Sequence, residues 1–248
     1  MGEDSLDQLA DLIVSRVKKR LEGSVAHDER PLCGHENSCF LPKPTCSSCG
    51  LNPINIINPI YQAPKETPIG KDLARYIDHT HLRPDADRAE IKKLCQEAKT
   101  HHFFSVCVNS SNVNLANRYL SGSGVKVCAV VGFPLGAATS GSKAFEAKEA
   151  VRCGASEIDM VLNIGALRSL SYELVLEDIR RVTRAVPGKI VKVILETGML
   201  NDSEKSLACG LAKAAGAHFV KTSTGFGPGG ATVEDVALMR KLVGPDMG

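Results

Sequence analysis

The sequence predicts an α/β chain built on a parallel sheet, and three observations carry the prediction. Short apolar runs begin near Tyr76, Phe103, Val125, Glu157, Ile190 and His218, at intervals of 27, 22, 32, 33 and 28 residues. Helical patterns lie between and after them, over 88–101, 113–121, 142–153, 172–185, 202–215 and 232–242. Strand and helix alternating at this spacing means parallel strands joined by right-handed crossovers. Composition agrees: 43% of the 248 residues are hydrophobic, but Trp is absent and aromatics make up 4%, so the core is aliphatic. An aliphatic core suits a parallel sheet covered by helices.

The same numbers exclude several classes of function. A formal net charge of +2 with scattered Lys and Arg gives no basis for nucleic-acid binding. No apolar run approaches ~18 residues, so no membrane span is predicted. The N-terminus lacks the apolar core of a secretory signal. Five of the nine cysteines (Cys95, Cys107, Cys128, Cys153, Cys209) fall in apolar strand or helix patterns, as small core residues do. A reducing, cytoplasmic compartment is the expectation.

Taken in order, residues 1–23 form the first segment. Leu6, Leu9, Ile13, Val17 and Leu21 step onto one face of a helix over 4–22, with Asp7 and Asp11 early and Arg16, Lys18, Lys19 and Arg20 late, as the helix dipole favours. Residues 24–71 follow as a Cys- and Pro-rich linker, so the helix reads as tethered rather than built into the main domain. Such a helix either docks on its own domain or a dimer partner, or binds a separate surface. It resembles the encapsulation peptides that direct enzymes to the shell proteins of bacterial microcompartments. Inside the linker, Cys46 and Cys49 have the two-residue spacing that lets two thiolates reach one ion, and Cys33 and Cys39, near His35, complete a set of four. Zinc or an iron–sulfur cluster, a redox-sensitive disulfide and inert thiols all remain open readings there, none of them needed for the chemistry below.

The third segment, 72–248, holds the six strand–helix units. Pro84 precedes the first helix, Pro187-Gly188 the fifth strand, and Asp202 and Thr232 are placed to cap their helices. A closed eight-unit barrel needs two more units, whereas an open sheet would not. Neither glycine-rich nucleotide fingerprint follows the first strand, which leaves nucleotide binding of those kinds unsupported.

Charges inside the apolar strands point to function. Alternate strand residues share a face. This puts Asp78 with Thr80, Glu157 with Asp159, Val161 and Asn163, Lys192 with Ile194 and Glu196, and Lys221 with Phe219 and Ser223. The complementary faces are mostly Val, Ile and Leu. Asp78, Asp159, Lys192 and Lys221 therefore converge on one side of the sheet. A purely structural ion-pair network is the bland account, but burying such charges brings little net stability. Charges gathered near strand C-termini more often mark a site. A lysine nucleophile needs its lone pair, and a nearby cation in a partly dry pocket lowers its pKa. The expectation is a neutral Lys221, Lys192 as the neighbouring cation and Asp159 as the proton relay, a set suited to Schiff-base formation.

Six segments carry a resemblance: Tyr76-Ile77-Asp78-His79-Thr80, Val106-Cys107-Val108-Asn109, Val131-Gly132-Phe133-Pro134-Leu135-Gly136, Glu157-Ile158-Asp159-Met160-Val161, Val191-Lys192-Val193-Ile194-Leu195-Glu196-Thr197 and Lys221-Thr222-Ser223-Thr224-Gly225-Phe226. In kind and order they closely resemble the deoxyribose-phosphate aldolases. The resemblance implies a TIM (β/α)8-type barrel and a class I aldolase. Such an enzyme reversibly cleaves 2-deoxy-D-ribose 5-phosphate to D-glyceraldehyde 3-phosphate and acetaldehyde with a covalent lysine and no cofactor. It places Lys221 as the Schiff-base lysine, Asp159 as the relay and Lys192 beside the nucleophile. Asp78, Thr80, Cys107 and Thr224 fall on substrate-binding positions. His81 and Arg83 stand where the family usually has Leu and Lys, a tolerable departure. The family also has a second catalytic lysine on a seventh strand and a phosphate site in its last two loops. By this resemblance Gly248 falls just before them, so the expectation is a cut version of a longer enzyme, or a fragment with little activity. Two other readings stand beside the aldolase: a shell-recruited cargo or scaffold module, and a different Schiff-base barrel of the transaldolase or keto-acid type.

Overall fold

The structure, a computed structural model, describes residues 70–248; the predicted helix over 4–22 and the linker residues Cys33, His35, Cys39, Cys46 and Cys49 lie outside the described residues. A 3₁₀ turn, Gly70–Tyr76, leads into strand β1 (Asp78–His81). Then follow α1 (Arg88–His101), β2 (Ser105–Val108), α2 (Val113–Leu120), β3 (Lys126–Val131), α3 (Ser140–Arg152) and β4 (Glu157–Val161). The second half contains α4 (Ile164–Arg168), α5 (Tyr172–Ala185), β5 (Ile190–Ile194), α6 (Asp202–Ala214), β6 (Phe219–Lys221) and α7 (Val233–Val243). None of these helices is long and apolar enough to cross a membrane.

The six strands pair in chain order, each parallel to the next. One contact proves that the sheet rolls up. Lys192 Nζ on β5 lies 2.6 Å from Asp78 Oδ2 on β1. Strands spaced by ~4.8 Å would put β5 roughly 19 Å from β1 in a flat sheet, beyond the reach of a lysine and an aspartate together. The described strands are therefore a curled, partial barrel of the TIM type. Its outward residues, among them Val106, Val108, Val127, Ala129, Ile158, Met160, Val191 and Val193, are buried beneath the helices, and they form the aliphatic core that the alternation predicts.

Helix ends follow local chemistry. Asp87 accepts the Glu90 amide at 2.8 Å and Glu90 accepts the Asp87 amide at 2.9 Å, a capping box that starts α1. Asn201 and Glu204 repeat the device at α6, so the cap is one residue before the predicted Asp202. Thr139 accepts the Ser142 amide and starts α3 two residues ahead of the predicted 142. Each such cap contributes ~1 kcal/mol.

Between α3 and α5 lies a strap absent from the sequence reading. Lys143 is fully buried and donates to Asp178 Oδ2 at 2.6 Å and to the Val161 carbonyl, at the end of β4, at 2.9 Å. Its stem fills the space over Gly132, where an added Cβ would stand 2.8 Å from Lys143 Cε.

Strict alternation misplaces two residues. Asn163 lies past the end of β4, where its side chain caps α4 by accepting the Ala166 amide at 3.1 Å. Glu196 lies past β5 with a left-handed φ of +57°, which takes its side chain out of the strand's alternation. Helix α4 itself was not predicted, because its five residues Ile164-Gly165-Ala166-Leu167-Arg168 are too few to show a period.

Candidate active site

The partial barrel brings Asp78, Asp159, Lys192 and Lys221 together, as the alternation requires. Lys221 Nζ lies 2.8 Å from Asp159 Oδ2. Lys192 Nζ lies 2.6 Å from Asp78 Oδ2, 2.8 Å from Glu157 Oε2 and 3.4 Å from Asp159 Oδ1. Depth separates the two lysines. Lys192 is in register with Asp159 and Phe219, one inward-facing position below Lys221. The Lys192 side chain is 9% exposed and that of Lys221 33% exposed, so only Lys221 offers its amine to an incoming molecule.

The charges do not act as the sequence reading expects. Burial opposes the Lys221 ammonium, but Asp159 outweighs it and raises the pKa above the ordinary lysine value. Lys192 is raised further, because Cys128, Asp159, Asp78 and Glu157 together overcome its burial. The net shift of Lys221 is upward although Lys192 stands nearby, and three carboxylates surround the Lys192 ammonium. Burial would lift Asp159 too, yet Lys192 and Lys221 win and hold it below the usual carboxylate range. Glu157 goes the other way; burial pushes it up and Lys192 only partly compensates. The result is a closely paired set of three acids and two amines in which one hydrogen bond holds the Lys221 ammonium against the Asp159 carboxylate.

The remaining predicted residues occupy distinct places. Cys107 is fully buried and packs with Cys128 and Val130, with Leu82 and Phe133 against them. Thr80 is exposed and its hydroxyl donates to the Asp78 carbonyl at 2.7 Å, beside Cys107 in register. Thr224 is buried, and its hydroxyl is engaged inside the loop after β6, with Glu196 and with the Phe226 amide. Two contributors were not singled out from the sequence. Glu157 shares the Asp159 face, and a charge in that apolar run was the signal available. Ser105 donates to Asp78 Oδ1 at 2.6 Å, leaving the other oxygen for Lys192.

Among the described residues, one group has metal-ligand composition: Cys107, Cys128 and Asp159, with ligand atoms within 4.8 Å of one another. Burial, reinforced by Cys107 and Asp159, pushes the Cys128 thiol well above its ordinary value, and Asp159 already serves two ammonium groups. A metal prefers thiolates, so this arrangement favours the lysines as Asp159's partners.

The model of the DeoC/LacD family aldolases matches residues 73–245. A deoxyribose-phosphate aldolase of Streptococcus sanguinis is 61% identical over 176 residues, covering 71% of this chain and 80% of that protein. One from Bdellovibrio bacteriovorus is 59% identical over 175 residues with the same coverage. Among solved structures, the tetrameric deoxyribose phosphate aldolase of Aeropyrum pernix aligns with a TM-score of 0.66 at 33% identity, covering 72% of this chain and 76% of that one.

Proposed function

Since the chain belongs to the DeoC/LacD family of aldolases, we propose that it is a class I aldolase that reversibly cleaves 2-deoxy-D-ribose 5-phosphate, with Lys221 as the amine that forms the Schiff base. The observation that carries the reading is the Lys221–Asp159 pair at 2.8 Å, with Lys221 the more accessible of two inward lysines. The relatives' names supply the substrate.

The chemistry follows from the geometry. Lys221 begins as an ammonium paired with the ionised Asp159, and its lone pair is released when water carries one proton from it to solvent. The amine adds to the C1 aldehyde of the sugar, and the carbonyl oxygen takes up a proton to give a carbinolamine. Loss of water leaves a protonated imine. Removal of the C3 hydroxyl proton then breaks the C2–C3 bond, whose electron pair flows onto the imine nitrogen and leaves an enamine. Glyceraldehyde 3-phosphate departs, a proton returns to C2, and hydrolysis frees acetaldehyde and the lysine. Asp159 relays the protons through water. Lys192, fixed by three carboxylates, keeps Asp159 ionised between steps. Asp78 orients Lys192 and, with Thr80, borders the space the sugar occupies, while Cys107 supports that wall from beneath Leu82 and Phe133. Residues 4–22, as a separate part of the proposal, recruit the enzyme to a microcompartment shell, which rests on their amphipathic pattern alone.

Borohydride added with acetaldehyde should fix a reduced two-carbon adduct on Lys221, located by peptide mass spectrometry. Lys221→Ala should abolish the adduct and lower cleavage of deoxyribose 5-phosphate on the order of a thousandfold or more. An adduct on Lys192 instead would overturn the assignment. Preferred cleavage of a keto-acid aldol would point to another Schiff-base aldolase.

A further inference from the structure

We infer that Glu196 is a positioning residue: through Thr224 it latches the loop over 222–230, which follows the reactive lysine, onto the turn after β5. Glu196 is 2% exposed and, among the described residues, no ammonium or guanidinium pairs with it. A carboxylate buried without a cation is costly unless hydrogen bonds hold it. Here they come from a single residue. The Thr224 hydroxyl donates to Glu196 Oε2 in a very short bond, and the Thr224 amide donates to the same oxygen at 3.3 Å. The Thr224 hydroxyl in turn accepts the Phe226 amide at 3.0 Å. One carboxylate oxygen thereby sets the path of three consecutive residues.

Three further observations make this a built device rather than a chance contact. Glu196 takes φ +57°, a conformation a glutamate adopts only when its surroundings impose it. A Cβ at Gly227 would stand 2.7 Å from Glu196 Cδ, so the loop backbone lies directly against the carboxylate. A Cβ at Gly198 would stand 1.9 Å from the Pro228 carbonyl oxygen, and the Thr197 amide donates to the Thr222 carbonyl at 2.9 Å. The two loops therefore meet backbone to backbone on both sides of the carboxylate. The latch also fixes Phe226, whose ring meets Phe133 edge-on at 5.3 Å, and Phe133 packs over the Cys107–Cys128 cluster beside Asp159. Glu196 thus shapes one wall of the mouth through which a molecule reaches Lys221, without touching the reacting atoms. The consequence for catalysis rests on the aldolase reading; the latch itself does not.

The test compares Glu196→Gln, Thr224→Val, Thr224→Ser, Gly227→Ala and the Glu196→Gln/Thr224→Val pair in the full chain. Glu196→Gln and Thr224→Val should each speed amide hydrogen exchange over 222–230 about tenfold. They should raise KM for deoxyribose 5-phosphate about tenfold while changing kcat less. The double variant should exchange no faster over 222–230 than the faster single one, and Thr224→Ser, which keeps the hydroxyl, should exchange there at the parent's rate. Gly227→Ala pushes on the carboxylate from the loop side and should reproduce the exchange effect even if Glu196→Gln does not fold. Unchanged exchange in Thr224→Val and Gly227→Ala, additive gains in exchange in the double variant, or a Thr224→Ser that exchanges as fast as Thr224→Val would overturn the latch. If the parent forms no borohydride adduct, the aldolase reading fails, and the exchange data still decide the latch.

Discussion

Lys192 and Lys221 stand on neighbouring strands one inward-facing position apart, and their carboxylate neighbours give them different work. Lys192 divides its charge among three acids and is fixed; Lys221 has one partner, Asp159, and an open side. Asp159 favours the charged form of Lys221, so its removal leaves burial as the dominant influence and lowers the lysine pKa. In Asp159→Asn the curve of borohydride trapping against pH should therefore shift to lower pH. Its plateau rate should fall about a hundredfold, because the relay is gone. A shift to higher pH, measured by adduct yield on Lys221, would show that Asp159 does not govern this amine. The positions of the inward charges were legible in the sequence, because period-two alternation fixes which residues share a face. The sign of the Lys221 shift was not legible: it depends on which acid approaches which amine, and alternation says nothing about distances within a face.

At the scale of elements, the Lys143–Asp178 strap couples α3, α5 and the end of β4, two residues beyond Asp159. Burial outweighs Asp178 and lowers the Lys143 pKa, so the pair is held at a cost. Lys143→Met leaves the Asp178 carboxylate uncompensated and the Val161 carbonyl without its donor, which should cost ~3–5 kcal/mol in urea denaturation. Lys143→Met with Asp178→Leu should recover much of that loss; a double variant as unstable as the single one would contradict this. A lysine in an amphipathic helix ordinarily reads as solvated, so nothing in the sequence marked Lys143. Helices α1 and α5 were legible to their ends from their apolar period, at Arg88–His101 and Tyr172–Ala185, although only α1 starts on a side-chain cap. Glu196 was misassigned for the opposite reason, since a left-handed turn interrupts a pattern that otherwise continues.

At the scale of the molecule, every residue assigned to the site lies between Asp78 and Gly227, within the curled sheet and its mouth loops. Removing residues 1–23 should therefore leave the rate of adduct formation on Lys221 within about twofold, while abolishing co-sedimentation with assembled shells. A large loss of trapping would tie the N-terminal segment to catalysis.

The roll of the sheet, seen in the Lys192–Asp78 contact across 114 positions, has an asymmetry in time. Asp78, Glu157 and Asp159 all precede both lysines in the chain, so a ribosome delivers three anions before either of their counter-ions. Until the fifth strand emerges, drying the hollow would strand like charges together. Water must keep that nascent acidic cup open. Arrival of the first ammonium lets it shut, and arrival of the second makes it reactive.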